Sequence, residues 1–395
     1  MKRIIVCLDG TWNDAARGRP PTNVVRIRNA VASRASDHVT QRVYYDEGVG
    51  TDDPVNRLTG GVLGAGLSLN VRQAYKYLAR HYKPGDEIFL IGFSRGAFTA
   101  RSVAGFIAAC GLLTSENCTG LNEERAWRHY RLPSKDRPIG DEMRLKALCH
   151  PDVPIQCVAV FDTVGTLGIP NTALNWIGRG RFAFHDTRLG SAVRHALHAV
   201  ALDEKRNAFK ATMWEAPFNP TGPLPEVSQV WFPGVHADVG GGYQDGDLAG
   251  IPLDWMMRRL EALGVSFKMP MADQPAGNGL DPLAPMHESR SLPLYLPDRF
   301  GPHDRPVVGV AASEQSQRSR PQMVYDPIAE GVHRSVLERW SRDPAYRPRN
   351  LDYVMFEAGG EKLPVIDWDG SPMTPEAVAE AFPFVAEAER LATEP

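Results

Sequence analysis

Gly92-Phe93-Ser94-Arg95-Gly96 is the stretch of this sequence whose residue types and spacing point most directly at chemistry. A serine with glycine two residues away on either side follows the apolar run E-I-F-L-I-G-F and opens into the small-residue run A-F-T-A-R-S-V-A-G-F-I-A-A-C. That pattern fits a sharp strand-to-helix turn that lifts a hydroxyl above a sheet edge. Cβ atoms at the two flanking positions would collide with the strand and the helix, so both must be glycine. Ser94 is therefore expected to be a nucleophile; its plainer use would be to cap the helix that opens at Arg95.

A serine hydroxyl is a weak nucleophile and needs a base, normally a histidine held by a carboxylate. In chains with this turn the partners follow in the order acid, then histidine, and both must sit at the carboxyl ends of strands to share an edge with the serine. Asp162 closes V-P-I-Q-C-V-A-V-F-D, and His236 follows V-S-Q-V-W-F in P-G-V-H-A-D-V-G-G-G. These two are the expected acid and base. His333, opening a late helix in V-H-R-S-V, is the alternative base, while His195 and His198 in A-V-R-H-A-L-H-A-V read as helix residues. Asp203 and Asp238 compete for the role of acid, and an Asx turn with Thr163 is the bland use of Asp162. For the oxyanion hole, the Arg95 backbone N–H at a helix start supplies one donor. The second is expected from the loop after the first strand, at Gly10 or Thr11.

Two other chemistries fit less well. Asp9-Gly10-Thr11 invites a haloacid-dehalogenase-like phosphatase reading, but Cys7 stands where that chemistry needs its nucleophilic aspartate. Asp238, Asp245 and Asp247, close after His236, would suit a calcium or magnesium ion better than zinc, with His236 or the His195/His198 pair nearby. No motif fixes their spacing, so they read as solvated loop acids, and no metal or organic cofactor is expected.

Positioning these groups on one edge requires parallel strands. R-I-I-V-C-L, E-I-F-L-I-G-F and V-P-I-Q-C-V-A-V-F are continuous apolar runs, as strands buried on both faces are. Helical patterns alternate with them: Thr22-Asn23 caps a helix carrying Val24, Ile27 and Val31, and Val71, Tyr75, Leu78 and Tyr82 share another face. The fold class expected is α/β, a mostly parallel doubly wound sheet with helices on both faces. Residues 1–265 read as the catalytic core, 266–325 as an irregular Pro/Gly-rich cover, and 326–395 as a C-terminal helical segment packing on the core. The loop from Gly48 to Gly66 is a second candidate cover.

Composition narrows the function classes. With 44 basic against 47 acidic residues and a net charge of -3, the chain lacks the electrostatic footprint of a nucleic-acid binder. Five cysteines without a C-x-x-C pair suggest neither a disulfide framework nor a zinc knuckle. No apolar run approaches the length of a membrane span, and the first run, cut short at Asp9, is too brief for a secretory leader. Cytoplasm is the default location; peripheral membrane contact needs only exposed apolar side chains.

Six blocks in order carry a resemblance: L-D-G-T-W-N-D at 8–14, T-N-V-V-R-I at 22–27, Y-Y-D-E-G-V-G-T at 44–51, G-F-S-R-G-A-F-T-A-R at 92–101, F-D-T-V-G at 161–165 and W-F-P-G-V-H-A-D-V-G-G-G-Y at 231–243. The chain resembles the uncharacterised α/β-hydrolase domain family that includes the type VI secretion phospholipase effectors, over roughly residues 1–265. The resemblance implies an α/β-hydrolase-like fold and a Ser-Asp-His esterase whose triad falls on Ser94, Asp162 and His236. For the secreted members it implies phospholipid substrates. Two rival readings stand beside the esterase: a degenerate hydrolase fold acting as a binding module, and an antibacterial effector, exported by a signal-less secretion system, with a cognate immunity protein.

Overall fold

Apolar runs within seven-residue strands set the architecture, because a strand that is apolar on both sides is stable only in the middle of a sheet covered twice. The computed structural model describes residues 1–10, 18, 20–48, 60–133, 136–164, 189, 192–215, 224–271, 273, 275, 277, 279–290, 303–308, 328–352 and 363–385. In chain order the elements are β1 Lys2–Leu8, α1 Asn23–Ala30, β2 Thr40–Asp46, α2 Gly60–His81, β3 Glu87–Phe93, α3 Arg95–Cys110, α4 Gly120–Tyr130, α5 Ile139–Lys146, β4 Ile155–Phe161 and β5 Val193–Ala201. They continue with a 3-10 turn at Asn207–Phe209, β6 Glu226–Phe232, α6 His236–Gly240, α7 Asp247–Ala262, β7 Glu330–His333, α8 Arg334–Arg342, α9 Arg349–Asp352, β8 Val365–Ile366 and α10 Pro375–Ala381.

The strands form one eight-stranded sheet in the order β2-β1-β3-β4-β5-β6-β7-β8, every neighbouring pair parallel. This is the α/β-hydrolase-like arrangement the sequence predicts. Alternation along each strand divides the core. Ile4, Val6, Leu8, Leu90 and Val158 face Val71, Tyr75 and Leu78 of α2 and Val103 and Phe106 of α3. Ile5, Cys7, Phe89, Ile91 and Ala159 face Val24 and Ile27 of α1 and Ile251, Trp255 and Leu260 of α7. A third cluster packs Val200, Trp231, Val332 and Val365 against Val336, Leu337 and Trp340 around α8. Because every strand runs the same way, the residues after β1, β3, β4 and β6 emerge on one edge.

The structure corrects several expectations. His195 and His198 lie on β5, not in a helix. Both faces of β5 are covered, so its apolar residues recur without a clean period of two, and the i, i+3 histidines mimic helical spacing. The segment 326–395 is not purely helical: it adds β7 and β8 to the sheet. His333 ends β7 and is the N-cap of α8. Helix α2 begins at Gly60, well before Gly66, and residues 49–59 of that candidate cover lie outside the described residues. Among the described residues no helix is long and apolar enough to cross a membrane.

Candidate active site

Ser94 sits at φ 58° and ψ -120° between β3 and α3, a left-handed conformation that a residue with a Cβ holds only when its surroundings impose it. The flanking glycines show what imposes it. A Cβ on Gly92 would stand 2.5 Å from the Gly96 carbonyl oxygen, and one on Gly96 would stand 2.1 Å from that of Leu8. The end of β1, the end of β3 and the start of α3 are thus in backbone contact. The Ser94 N–H donates to the Phe161 carbonyl at 3.1 Å, tying the turn to the end of β4.

Asp162 follows β4 with φ 37° and is fully buried. His236 follows β6 at the start of α6, where Gly240 makes room for Phe93: a Cβ there would meet that ring at 1.9 Å. The Phe93 ring lies against the His236 imidazole at 4.7 Å between centroids, and Phe209 meets it edge-on at 5.0 Å. Held this way, His236 Nδ1 is 2.5 Å from Asp162 Oδ2 and Nε2 is 2.9 Å from Ser94 Oγ. A carboxylate only accepts, so Nδ1–H donates to Asp162 and Nε2 is left to accept the Ser94 hydroxyl proton. Ser94 and His236 keep slight exposure, 8% and 6%, which leaves the hydroxyl side of the relay reachable.

The remaining valences of Asp162 are filled by groups the sequence reading missed. Arg305, itself 1% exposed, donates from Nη1 to Oδ1 at 2.6 Å and from Nη2 to Oδ2 at 3.0 Å. The Ala201 N–H donates to Oδ1 at 2.9 Å. Burial alone would raise the Asp162 carboxyl, but the Arg305 charge and the His236 contact hold it well below the usual carboxylate range. Next to it the Thr163 N–H donates to His198 Nε2 at 3.1 Å. Burial pushes that imidazole down to about 3, so it stays neutral and able to accept. Glu204 accepts the His236 N–H at 3.2 Å; burial would raise it, yet pairing with Arg206 brings it to about 2. Only the side-chain partners of an acid already identified would have flagged these residues.

The other candidates are placed as follows. Arg95 opens α3, directly after Ser94. Gly10 follows β1, and its N–H donates to Asp9 Oδ1 at 2.7 Å, so it is engaged by its own neighbour; Thr11 lies outside the described residues. Asp9 also accepts from Thr22 Oγ1 at 2.6 Å and the Tyr45 hydroxyl at 3.2 Å. Cys7 is in the core, its thiol pushed up to about 12 by burial. Asp203 accepts from the Gly234 N–H and the Tyr346 hydroxyl, at 2.7 and 2.9 Å. His333 is fully buried, with Nδ1 2.8 Å from Ser335 Oγ and its ring stacked on Phe232. The structure brings it to that packing rather than to Ser94.

Two of the loop acids, Asp238 and Asp245, flank a histidine. His287 Nδ1 is 2.6 Å from Asp238 Oδ1 and Nε2 is 2.9 Å from Asp245 Oδ1, with Tyr243 stacked on the ring at 3.6 Å. Ser289 Oγ donates to Glu204 at 2.9 Å. His287 therefore docks on α6 and the residues after it, and Ser289 on the segment after β5. Among the described residues no group of three or more histidine, cysteine, aspartate or glutamate side chains is placed to hold a metal ion.

Comparison with known proteins gives one family. The model of the type VI secretion phospholipase effector Tle1-like catalytic domain matches residues 2–259, a span that contains Ser94, Asp162 and His236 but not Arg305. The chain is 30% identical over 234 residues to the uncharacterized protein YEL023C of Saccharomyces cerevisiae (strain ATCC 204508 / S288c), covering 53% of this chain and 32% of that protein. Two solved structures are similar. The Tle1 effector bound to the VgrG spike of the type 6 secretion system has a TM-score of 0.35 and 18% identity, over 64% of this chain and 52% of its own. An uncharacterized protein from Pseudomonas aeruginosa has a TM-score of 0.41 and 16% identity, over 100% of this chain and 60% of its own. The chain thus spans less than two thirds of the length of each of these relatives.

Proposed function

This chain belongs to the family of Tle1-like catalytic domains of type VI secretion phospholipase effectors, and from that premise we propose that it hydrolyses acyl esters, phospholipids among them, with Ser94 as the nucleophile. The observation that carries the reading is the continuous relay of hydrogen bonds Ser94 Oγ, His236 Nε2, His236 Nδ1, Asp162 Oδ2 at 2.9 and 2.5 Å. As Oγ attacks the ester carbonyl carbon, His236 takes its proton, and Asp162 stabilises the imidazolium that forms. The tetrahedral oxyanion faces the start of α3, where the Arg95 N–H and the helix dipole offset its charge. The second donor is assigned to the loop after β1, where Gly10 must turn from Asp9 or Thr11 must serve.

Collapse of the intermediate returns the proton from His236 to the leaving alcohol and leaves an acyl group on Ser94. Water, deprotonated by the same imidazole, then releases the acid. Neither half-reaction calls for a cofactor.

The experiment compares wild type and Ser94→Ala on a p-nitrophenyl ester and on phospholipid vesicles, with fluorophosphonate labelling followed by peptide mapping. Loss of turnover and of label in a variant that melts like wild type is expected. Retained ester turnover would remove Ser94 from the mechanism. As a member of an effector family, the protein is further proposed to leave its cell through a type VI apparatus and to be neutralised at home by an immunity protein. Ser94-dependent growth arrest when it is directed to the periplasm, relieved by a co-expressed neighbouring gene product, is the corresponding test.

A further inference from the structure

We propose that Arg305 is a positioning residue of this site, holding Asp162 charged and correctly turned beside His236 from a segment that lies outside the sheet. The inference rests on the Ser94–His236–Asp162 reading above. A serine-histidine pair needs an acid that stays ionised and aims one oxygen at Nδ1. Burial works against the first requirement, since an isolated carboxylate taken out of water tends to take up a proton instead. Asp162 is 0% exposed and the guanidinium beside it 1%, so solvent supplies neither charge nor orientation.

The fork geometry answers both needs. Two parallel N–H···O bonds, one to each carboxylate oxygen, fix the plane of the carboxyl group as a single lysine ammonium does not. The guanidinium is fixed in turn. Nη1 also donates to the Ala201 carbonyl at 2.7 Å, and Nη2 donates to that of Phe209. Asn350 Nδ2 binds the Arg305 carbonyl at 3.2 Å and that of Leu202 at 3.1 Å. Arg305 therefore joins the acid, the end of β5 and the 3-10 turn whose Phe209 ring flanks His236.

The charge has a kinetic signature. With Arg305 present, the Asp162–His236 pair and the guanidinium together are neutral before catalysis and carry one positive charge once the imidazolium forms. Without Arg305, the same proton is taken up by a pair carrying a negative charge. Proton uptake by the pair then becomes easier, whichever of the two residues holds the proton. Among the described residues, the other charged or titratable groups facing the pair are Glu204, which is balanced by Arg206, and His198, which burial keeps neutral. Arg305 is the charge that sets the limb.

The test uses the full chain with Arg305→Met and Arg305→Lys, assayed for kcat and KM across pH on a soluble ester beside wild type and Ser94→Ala. For R305M the acidic limb of kcat/KM moves to higher pH by about one unit or more, and kcat falls on the order of 100-fold with KM little changed. R305K keeps the charge and loses the fork, so its limb stays near wild type while kcat still falls about tenfold. A folded R305M with the wild-type limb overturns the proposal, because a merely structural arginine would lower the melting temperature without moving the profile. Should R305M not fold, R305K decides, and an unchanged kcat in that variant overturns it. A dead Ser94→Ala beside an unaffected R305M rejects the Arg305 inference alone, whereas an active Ser94→Ala rejects the serine reading beneath it.

Discussion

Gly96 of α3 packs so tightly on Leu8 of β1 that a Cβ at Gly96 would lie 2.1 Å from the Leu8 carbonyl oxygen. The obstacle is backbone, which cannot swing aside as a long side chain can. Gly96→Ala must therefore separate helix from strand, at a cost of about 3 kcal/mol or more, and carry the Ser94 hydroxyl away from His236. Thermal melting and ester turnover should fall together. An unchanged melting temperature would show that the contact relaxes freely.

Asp162→Asn tests two consequences of one carboxylate. The amide cannot stabilise an imidazolium, and kcat should drop by on the order of 10⁴-fold, as replacing the acid of such a relay does. The substitution also leaves the Arg305 charge buried without its counter-ion, which costs about 3–5 kcal/mol. Because the Asp162 carboxyl is held low in the folded protein, its stabilising effect is present above the ordinary carboxylate range and lost as pH falls toward the folded value. The gap in melting temperature between wild type and variant should therefore narrow on acidification. A gap that widens in acid would contradict the assignment.

Glu330 offers the opposite sign. Its Oε2 accepts from Trp231 Nε1 at 2.5 Å, while Oε1 is buried without a hydrogen-bond partner among the described residues. Burial pushes the group up to about 7 from an ordinary value of 4.5. The folded state then favours the protonated form, and stability present below pH 4.5 is lost as pH rises through 7. Glu330→Gln keeps an acceptor for Trp231 and removes the ionisation. It should raise stability by up to about 3 kcal/mol at pH 8 and bring no gain at pH 4. Denaturant melts at the two pH values decide.

His333→Asn separates the alternative base from His236. The His333 ring is engaged with Ser335 and Phe232, so ester turnover should stay close to wild type, while the lost packing lowers stability by about 2 kcal/mol. Burial brings this imidazole down to about 3. Wild type therefore loses the His333 share of its stability as pH falls from the ordinary histidine range toward that value, and the variant lacks this acid sensitivity. A collapse of kcat in a folded variant would restore His333 as a candidate.

What could be read in the sequence follows from where information is local. Ser94 announces itself through two glycines whose absence of Cβ is needed within five residues. Asp162 and His236 stand out as candidates because a parallel sheet sends every strand's carboxyl end to one edge, so a polar residue at or shortly after the end of an apolar run falls on that edge. Arg305 carries no such mark. It stands in a stretch without periodicity, and its partner is 143 residues away. Strands β7 and β8 have four and two residues, too few for a hydrophobic pattern to emerge, and they exist because β6 offers an edge to pair with. The donor sought at Gly10 shows the reverse limit: its location after β1 was legible, but its engagement by Asp9 was not.

The hydrogen bonds around His236 and Asp162 join residues that are far apart in the chain, with separations of 142 for Ser94 to His236, 74 for His236 to Asp162 and 143 for Asp162 to Arg305. No single strand-helix unit contains two of these four side chains. Closing such long loops must precede any of the bonds, and folds dominated by distant pairings assemble slowly. With Ser94 as the proposed nucleophile, its labelling by a fluorophosphonate should accordingly come late in refolding. The reagent serves as a clock for finished topology, started by dilution from denaturant and insensitive to helices that form early.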